Sequence, residues 1–354
     1  MRVAGRGIAI LVNANAKRGG RRVAVQIGAV LPGANIRLTR DIAEVEGWLA
    51  SLREVRALFA AGGDGTAVTL LTALDRVLPR EAPFPAFGVL PLGTGNAWAR
   101  SLGARKLDAC VRGLARAHGP LPTRKARLFE CDGTLTFFAG CGWDAQVLDD
   151  YRAQVAQSPS RRLAKSVWGY LAAVVLRTAP KTLLNARPHV LVENLADEAF
   201  AVDARDPLGT PRRLEGVGRG AILYEGPASV AGCATCPEFG YGFRAYPHAE
   251  RMLGRMNVRV YDQSTLRALR DIPRLWQGAH PLEGTHDWFS SHVRLTFSRP
   301  LPLQIGGESV GERRTVELVM SPRDVRAVDW RRLDGDDLPA GERPDARGFG
   351  EHAP

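Results

Sequence analysis

The 354-residue chain carries 48 Lys and Arg against 37 Asp and Glu, a formal charge of +11, and is 45% hydrophobic and 24% charged. Those are globular, water-soluble proportions, and at roughly 100–200 residues per domain the length predicts two domains, each able to bury its own core. A small disulfide-stapled scaffold is excluded. The sparse, odd set of cysteines, Cys110, Cys131, Cys141, Cys233 and Cys236, argues against an oxidising compartment.

The apolar stretch Val167 to Leu176, flanked by Lys165 and Arg177, falls far short of the about 20 residues needed to cross a bilayer. Ile8 to Val12 is shorter than a secretory-signal core, and no small-residue cleavage pattern follows it. The expectation is a cytoplasmic protein. Cys233-Ala-Thr-Cys236 has no second ligand pair, so no protein-bound metal is expected. His286 and His292 are expected to be structural or surface residues.

In chain order, Ile8–Val12, Leu58–Ala61 and Phe87–Leu90 read as strands, with helices over Arg21–Val30, Ile42–Leu52 and Ala67–Val77 between them. Strands alternating with helices predict β-α-β units and a parallel sheet over residues 1–125. The pattern changes around Pro120 to Arg127. Short strand-like runs then appear at Thr136–Ala139, Val190–Val192, Gly220–Leu223, Val258–Tyr261, Val293–Phe297 and Val316–Val319. They predict a second, largely antiparallel β domain over residues 126–330, carrying a basic segment as an insertion. Polar Ala196–Gly218 reads as a loop, and the aperiodic residues 331–354 read as a disordered tail.

From Tyr151 to His189 there are seven basic residues and no acidic one. Within that run Leu163, Val167, Trp168, Leu171, Val174 and Val175 recur at helical spacing, which predicts a basic amphipathic helix. Such a helix suits an anionic membrane surface, or it is an ordinary core-facing helix with a solvated side. No aromatic–basic strand pattern or nucleic-acid module is present, so no nucleic-acid partner is expected.

Two glycine-rich loops carry the chemistry. Gly62-Gly63-Asp64-Gly65-Thr66 follows a strand and opens a helix, and Pro91-Leu92-Gly93-Thr94-Gly95-Asn96 does the same before Ala97–Leu102. Glycines let the backbone approach a ligand, and the helix N-terminus offers free N–H groups and a positive dipole end, the arrangement that holds phosphate. In a parallel sheet both loops, together with Asn13 and the Lys17-Arg18-Gly19-Gly20 turn after the first strand, emerge on one edge. Neither loop follows the pattern of a P-loop NTPase.

These motifs resemble the diacylglycerol kinase catalytic domain family, which includes bacterial lipid kinases and sphingosine kinases. The resemblance extends to Ala139-Gly140-Cys141-Gly142-Trp143-Asp144-Ala145, to Phe239-Gly240-Tyr241-Gly242-Phe243 with Pro247-His248-Ala249, and to Gln304-Ile305-Gly306-Gly307-Glu308. It implies an α/β nucleotide domain and a β-sandwich domain with ATP, Mg²⁺ and a lipid acceptor in the cleft. Carried over residue by residue, Asn13, Thr39, Gly62, Gly63, Asp64, Gly65, Thr66, Gly93, Thr94, Gly95 and Asn96 line the ATP site. Glu308 becomes the proton acceptor, and Asp64 a second catalytic carboxylate. A lipid acceptor implies a cytoplasmic enzyme peripheral to the inner membrane.

Two family aspartates are replaced here, by Gly306 and by Leu253. Asp144 or Asp287 could substitute for the lost carboxylates. Two other readings stay open: a soluble kinase of the NAD kinase type, which shares the Gly-Gly-Asp-Gly loop, and a degenerate member that binds nucleotide or lipid without catalysis.

Overall fold

The computed structural model describes residues 4–15, 20–41, 43–93, 95–158, 167–183 and 186–333. The expected tail therefore lies outside the described residues from 334 onward, as do Lys17, Arg18, Thr94, Arg161, Arg162, Leu163 and Lys165.

The first third alternates as expected: β1 (Ile8–Asn13), α1 (Gly20–Val30), β2 (Asn35–Thr39), α2 (Ala43–Ser51), β3 (Ala57–Gly62), α3 (Asp64–Val77) and β4 (Ala86–Pro91). α4 (Ala97–Ser101) and α5 (Leu107–Arg116) follow. β1, β3 and β4 are apolar runs because the sheet is buried on both faces, which removes the reason for a polar alternate residue. α2 packs with α3 and α1 with α5 over this sheet. Its strand order is β2-β1-β3-β4-β18-β5, with β5 at Thr123–Ala126 and β18 at Val325–Val328. Pairing is parallel except between β18 and β5.

β18 departs from the expected domain boundary at residue 330. The chain leaves the second domain, inserts β18 between β4 and β5, and continues into α10 (Trp330–Leu333). Trp330 is wholly buried with its ring 5.9 Å from that of Phe59 on β3. The first three residues of the expected tail, Arg331 to Leu333, are thus helical.

The second domain is a 12-stranded antiparallel sheet. It comprises β6 (Phe129–Cys131), β7 (Thr134–Thr136), β8 (Phe138–Gly142), β9 (His189–Asn194), β10 (Phe200–Val202), β11 (Pro211–Arg213), β12 (Ala221–Pro227), β13 (Val230–Ala234), β14 (Met256–Tyr261), β15 (Thr285–Ser290), β16 (His292–Ile305) and β17 (Glu308–Met320). β10 and β11 correct the expected loop at Ala196–Gly218: they pair with each other, and β10 extends the sheet from β15. β16 pairs with β9 along Val293–Phe297 and with β8 along Leu303–Ile305. The pairing register shifts between these stretches, at Thr296/Leu301. Val192, Val258, Leu295 and Leu303, from β9, β14 and β16, consequently share one buried core.

Helices interrupt this sheet at α6 (Trp143–Gln157), α7 (Val167–Ala173), a π-helical turn (Val174–Thr178), α8 (Ala179–Leu183) and α9 (Thr265–Gln277). Residues 151–157 and 167–183 of the basic segment are thus helical, as its spacing predicts. The second stretch is fastened to α6 through buried Asp150, which accepts from Thr178 Oγ1 at 2.8 Å and pairs with Lys181 at 2.5 Å. Among the described residues no helix is long and apolar enough to cross a membrane. A run of rings, Phe87, Trp98, Phe137, Phe138 and Phe239, with successive centroids 4.4–5.5 Å apart, joins the first sheet to the second domain.

Candidate active site

Because β1, β3 and β4 are adjacent and parallel, Asn13, Gly62 and Pro91 end on one edge, with Gly62 paired to Pro91. Gly62 O accepts hydrogen bonds from Leu92 N and Gly93 N, each at 3.0 Å, so the second loop hangs from the first. A Cβ on Gly93 would lie 2.3 Å from Gly63 Cα, a distance only glycine permits. The two loops therefore touch backbone to backbone.

Asp64 completes the join. Its Oδ2 accepts from Ala97 N at 2.9 Å and its Oδ1 from Trp98 N at 3.0 Å, so the first residue of α3 caps the N-terminus of α4. Burial pushes its carboxyl up to about 6, against the opposing pull of those amides. With both oxygens engaged, the structure gives Asp64 a positioning place between the loops.

Asn13 Nδ2 donates to Thr66 Oγ1 at 3.0 Å, fixing the end of β1 to the first turn of α3. Asn96 adopts φ 51 and donates to Gly93 O at 2.9 Å, holding the second loop from within. Thr39 stands one strand further out and bonds to the backbone of Asp41. It lines a neighbouring depression together with Asn13, Thr66 and Glu308. Thr94 lies outside the described residues.

The loops form one wall of a cavity of about 390 Å³. Gly63, Asp64, Gly65, Thr66, Gly93 and Gly95 line that wall, whereas Gly62, Thr39 and Asn96 stand behind or beside it. No side chain caps the N-terminus of α3, and Thr66 N and Ala67 N both turn back to Gly63 O, so an anion would meet the amides ahead of them. The second domain supplies the opposite wall. Its loop at Gly240, Tyr241 and Gly242 has three successive positive φ values, 126°, 52° and 83°, and Tyr241 N donates to Gly95 O at 3.4 Å.

Glu308 opens β17 after the turn at Gly306 and Gly307, which both have positive φ. A Cβ on Gly65 would approach Glu308 Oε1 to 2.6 Å, so this carboxylate lies against the first turn of α3. Arg152 on α6 grips it: Nη2 donates to Glu308 Oε2 and, at 3.3 Å, to Gly307 O. The glycine that replaces a family aspartate has a local reason. A Cβ on Gly306 would come 2.5 Å from Val68 Cγ2, leaving no room for a carboxylate without displacing α3. Leu253, at the other departure, is 75% exposed.

Of the two substitute carboxylates, only Asp144 faces the cavity. Gln304 Nε2 donates to its Oδ2 at 3.4 Å, and its buried Oδ1 has no hydrogen-bond partner. Burial pushes its carboxyl up to about 6. Asp287 instead forms a buried bidentate pair with Arg259, at 2.8 and 2.7 Å, which with the Asn257 bond holds its carboxyl low despite burial. His286 and His292 pair with Asp262 and Glu317 and stand apart from the cavity.

Arg152, Tyr241 and Trp276 also line the cavity. None was singled out as a site residue in the sequence. Only the helical spacing of Asp144, Leu148, Tyr151 and Arg152 could have pointed to the α6 face.

A second, apolar cavity of about 100 Å³ adjoins the first. Val147, Leu171, Val174, Ile272 and Leu275 line it, and Asp144, Phe239, Phe243 and Trp276 line both cavities.

Residues 8–119 match the family described as "Diacylglycerol kinase catalytic domain". The eye-specific diacylglycerol kinase of Drosophila melanogaster is 56% identical over 46 residues, 13% of this chain and 3% of that protein. The protein named "Probable lipid kinase YegS" of Salmonella newport is 38% identical over 97 residues, 27% of this chain and 31% of that one. The matched segments thus span under a third of these curated relatives. A solved structure, a diacylglycerol kinase from Bacillus anthracis, superposes with a TM-score of 0.59 at 13% identity, covering 93% of this chain and 98% of that one. At that identity the likeness is one of fold, and it extends across both domains. Residues 8–119 thus match the diacylglycerol kinase catalytic domain family, and the chain as a whole shares the fold of that solved structure.

Proposed function

We propose that this protein is an ATP-dependent lipid kinase that transfers the γ-phosphate to a hydroxyl of a lipid such as a diacylglycerol or a sphingoid base. One observation carries the reading: a cavity walled by two touching glycine loops and an uncapped helix N-terminus adjoins, at Asp144, an apolar cavity. The first suits a triphosphate and the second an acyl chain.

Phosphoryl transfer relies mainly on positioning and charge neutralisation. The amides of α3 would hold the phosphate oxygens. Arg152 would exchange its exposed partner Glu308 for the more highly charged phosphate, since an exposed ion pair contributes only about 0–1 kcal/mol. Asp64 already accepts from two backbone amides, one at each oxygen. Glu308, beside the phosphate cradle, fits as the carboxylate that shares Mg²⁺ with the nucleotide. The ion would neutralise phosphate charge. Val175, Leu176 and Leu183, each at least 50% exposed, lie near Arg177 and Lys181 and support contact with an anionic membrane surface.

The test is incubation of purified protein with γ-labelled ATP and vesicles containing diacylglycerol or a sphingoid base, with NAD in a parallel tube. Label in a lipid is the expected result. Label in NAD supports the soluble-kinase reading, and ATP binding without transfer to any acceptor supports the non-catalytic one.

A further inference from the structure

Resting on the kinase reading, with Glu308 as its proton acceptor, we infer that Gln304 is the positioning residue that keeps Glu308 aimed during turnover. Glu308 follows a two-residue hairpin turn, Gly306 and Gly307 at φ 57 and 80, with Ile305 and Glu308 paired across it. Two adjacent glycines give a turn wide conformational freedom. A carboxylate that must come within hydrogen-bond reach of a reacting hydroxyl tolerates little drift. The turn therefore needs fixing from outside.

Three hydrogen bonds supply that fixing. Gly306 N donates to Phe138 O at 2.9 Å, which ties the first glycine to β8. Gly307 N donates to Gln304 Oε1 at 3.1 Å, and Gly307 O accepts from Arg152 Nη2 at 3.3 Å. Both the N–H and the C=O of the glycine next to Glu308 are thus held by side chains. Arg152 also grips the Glu308 carboxylate, and on the kinase reading it turns to the phosphate when nucleotide binds. Gln304 is then the side chain that still holds Gly307.

Its surroundings leave Gln304 one orientation. It is 1% exposed and stands between Leu303 and Ile305, whose side chains join the core of the sheet. The alternation of a strand turns it to the other face, toward α6, where its Nε2 donates to Asp144 Oδ2 at 3.4 Å. Across the pairing with β8 lies Gly140, where a Cβ would stand 3.1 Å from that same Oδ2. The bare glycine leaves the carboxylate room to approach. Burial pushes the Asp144 carboxyl up to about 6, so it is ionised at neutral pH. An ionised carboxylate only accepts and a backbone N–H only donates. A flipped amide would therefore set oxygen against oxygen at Asp144 and donor against donor at Gly307, and an apolar side chain would leave Gly307 N without its acceptor.

Rates of lipid phosphorylation test this in the wild type, Gln304→Leu, Glu308→Gln and the double variant carrying both, with ATP affinity and melting temperature measured on each. Gln304→Leu should lower kcat by about 10- to 100-fold and keep ATP affinity within about threefold. Glu308→Gln should lower kcat by about 100-fold or more. In the double variant the loss of Gln304 should add less than about threefold, because the carboxylate it aims is gone. A Gln304→Leu effect that multiplies in full on top of Glu308→Gln overturns the proposal, as does wild-type kcat in Gln304→Leu alone. If Gln304→Leu melts below the assay temperature, Gln304→Glu with and without Asp144→Asn decides instead. Gln304→Glu keeps an oxygen for Gly307 N but sets two carboxylates together, and should lower kcat. Adding Asp144→Asn restores a donor opposite the new oxygen and should raise kcat again by about fivefold; no recovery overturns the proposal. A wild-type protein that labels no lipid overturns the kinase reading itself, whereas a wild type that labels lipid alongside an equally active Gln304→Leu overturns only the place given to Gln304.

Discussion

At the scale of single residues, Asp64 and Asp144 show how one residue type acquires two uses. Asp64 gives both oxygens to the amides that open α4. Replacing it by Ala leaves two N–H groups unpaired and should cost about 1–3 kcal/mol of stability, together with loss of ATP binding as the second loop drifts. Thermal denaturation and ATP titration of Asp64→Ala check this, and an unchanged melting temperature would contradict it. Asp144, held up near 6 by burial, binds its proton more tightly folded than unfolded. Its favourable contribution is present below the unfolded value near 3.8 and is lost as pH rises through 6. Asp144→Asn, isosteric with the protonated acid, should therefore melt close to the wild type at pH 4. At pH 8 it should be more stable, by at most about 3 kcal/mol. Equal gaps at both pH values would contradict the shift. The glycine motif made Asp64 visible in the sequence, but its partners, Ala97 and Trp98, come from another loop and were not legible.

At the scale of elements, the parallel strands were legible because burial on both faces writes each as an apolar run. β2 was not: Asn35-Ile-Arg-Leu-Thr39 is a short edge strand with exposed Asn35 and Arg37. α9 was not read either, for Pro273 interrupts it although Ser264 caps its start. The site helix α6 escaped notice because the motif that opens it, Gly142-Trp143-Asp144, reads equally well as a loop. The close packing of the two glycine loops gives a paired prediction. Gly93→Ala places a Cβ 2.3 Å from backbone that cannot yield, and should lower both melting temperature and ATP affinity. Gly47→Ala, in the middle of α2 with nothing within 4 Å of its Cβ, should raise stability by about 0.5–1 kcal/mol and leave ATP affinity unchanged. Parallel melts and titrations of the two variants separate a tight junction from a general response to added methyls.

At the scale of the whole molecule, the two-domain division was legible from the change of pattern near Pro120, but the return of β18 was not. Val325–Val328 looks like any short strand, and only pairing with β4 and β5, sealed by buried Trp330, assigns it to the first sheet. The cleft between the domains depends on that return, because it ties the end of the β domain back to the sheet that carries the glycine loops. The central claim is that those loops together form one cradle for a triphosphate. Amide hydrogen exchange of the full chain with and without ATP tests it most directly. Slowed exchange over 63–67 and 95–98 on adding ATP is the predicted result, and unchanged exchange in both loops at saturating ATP would contradict it.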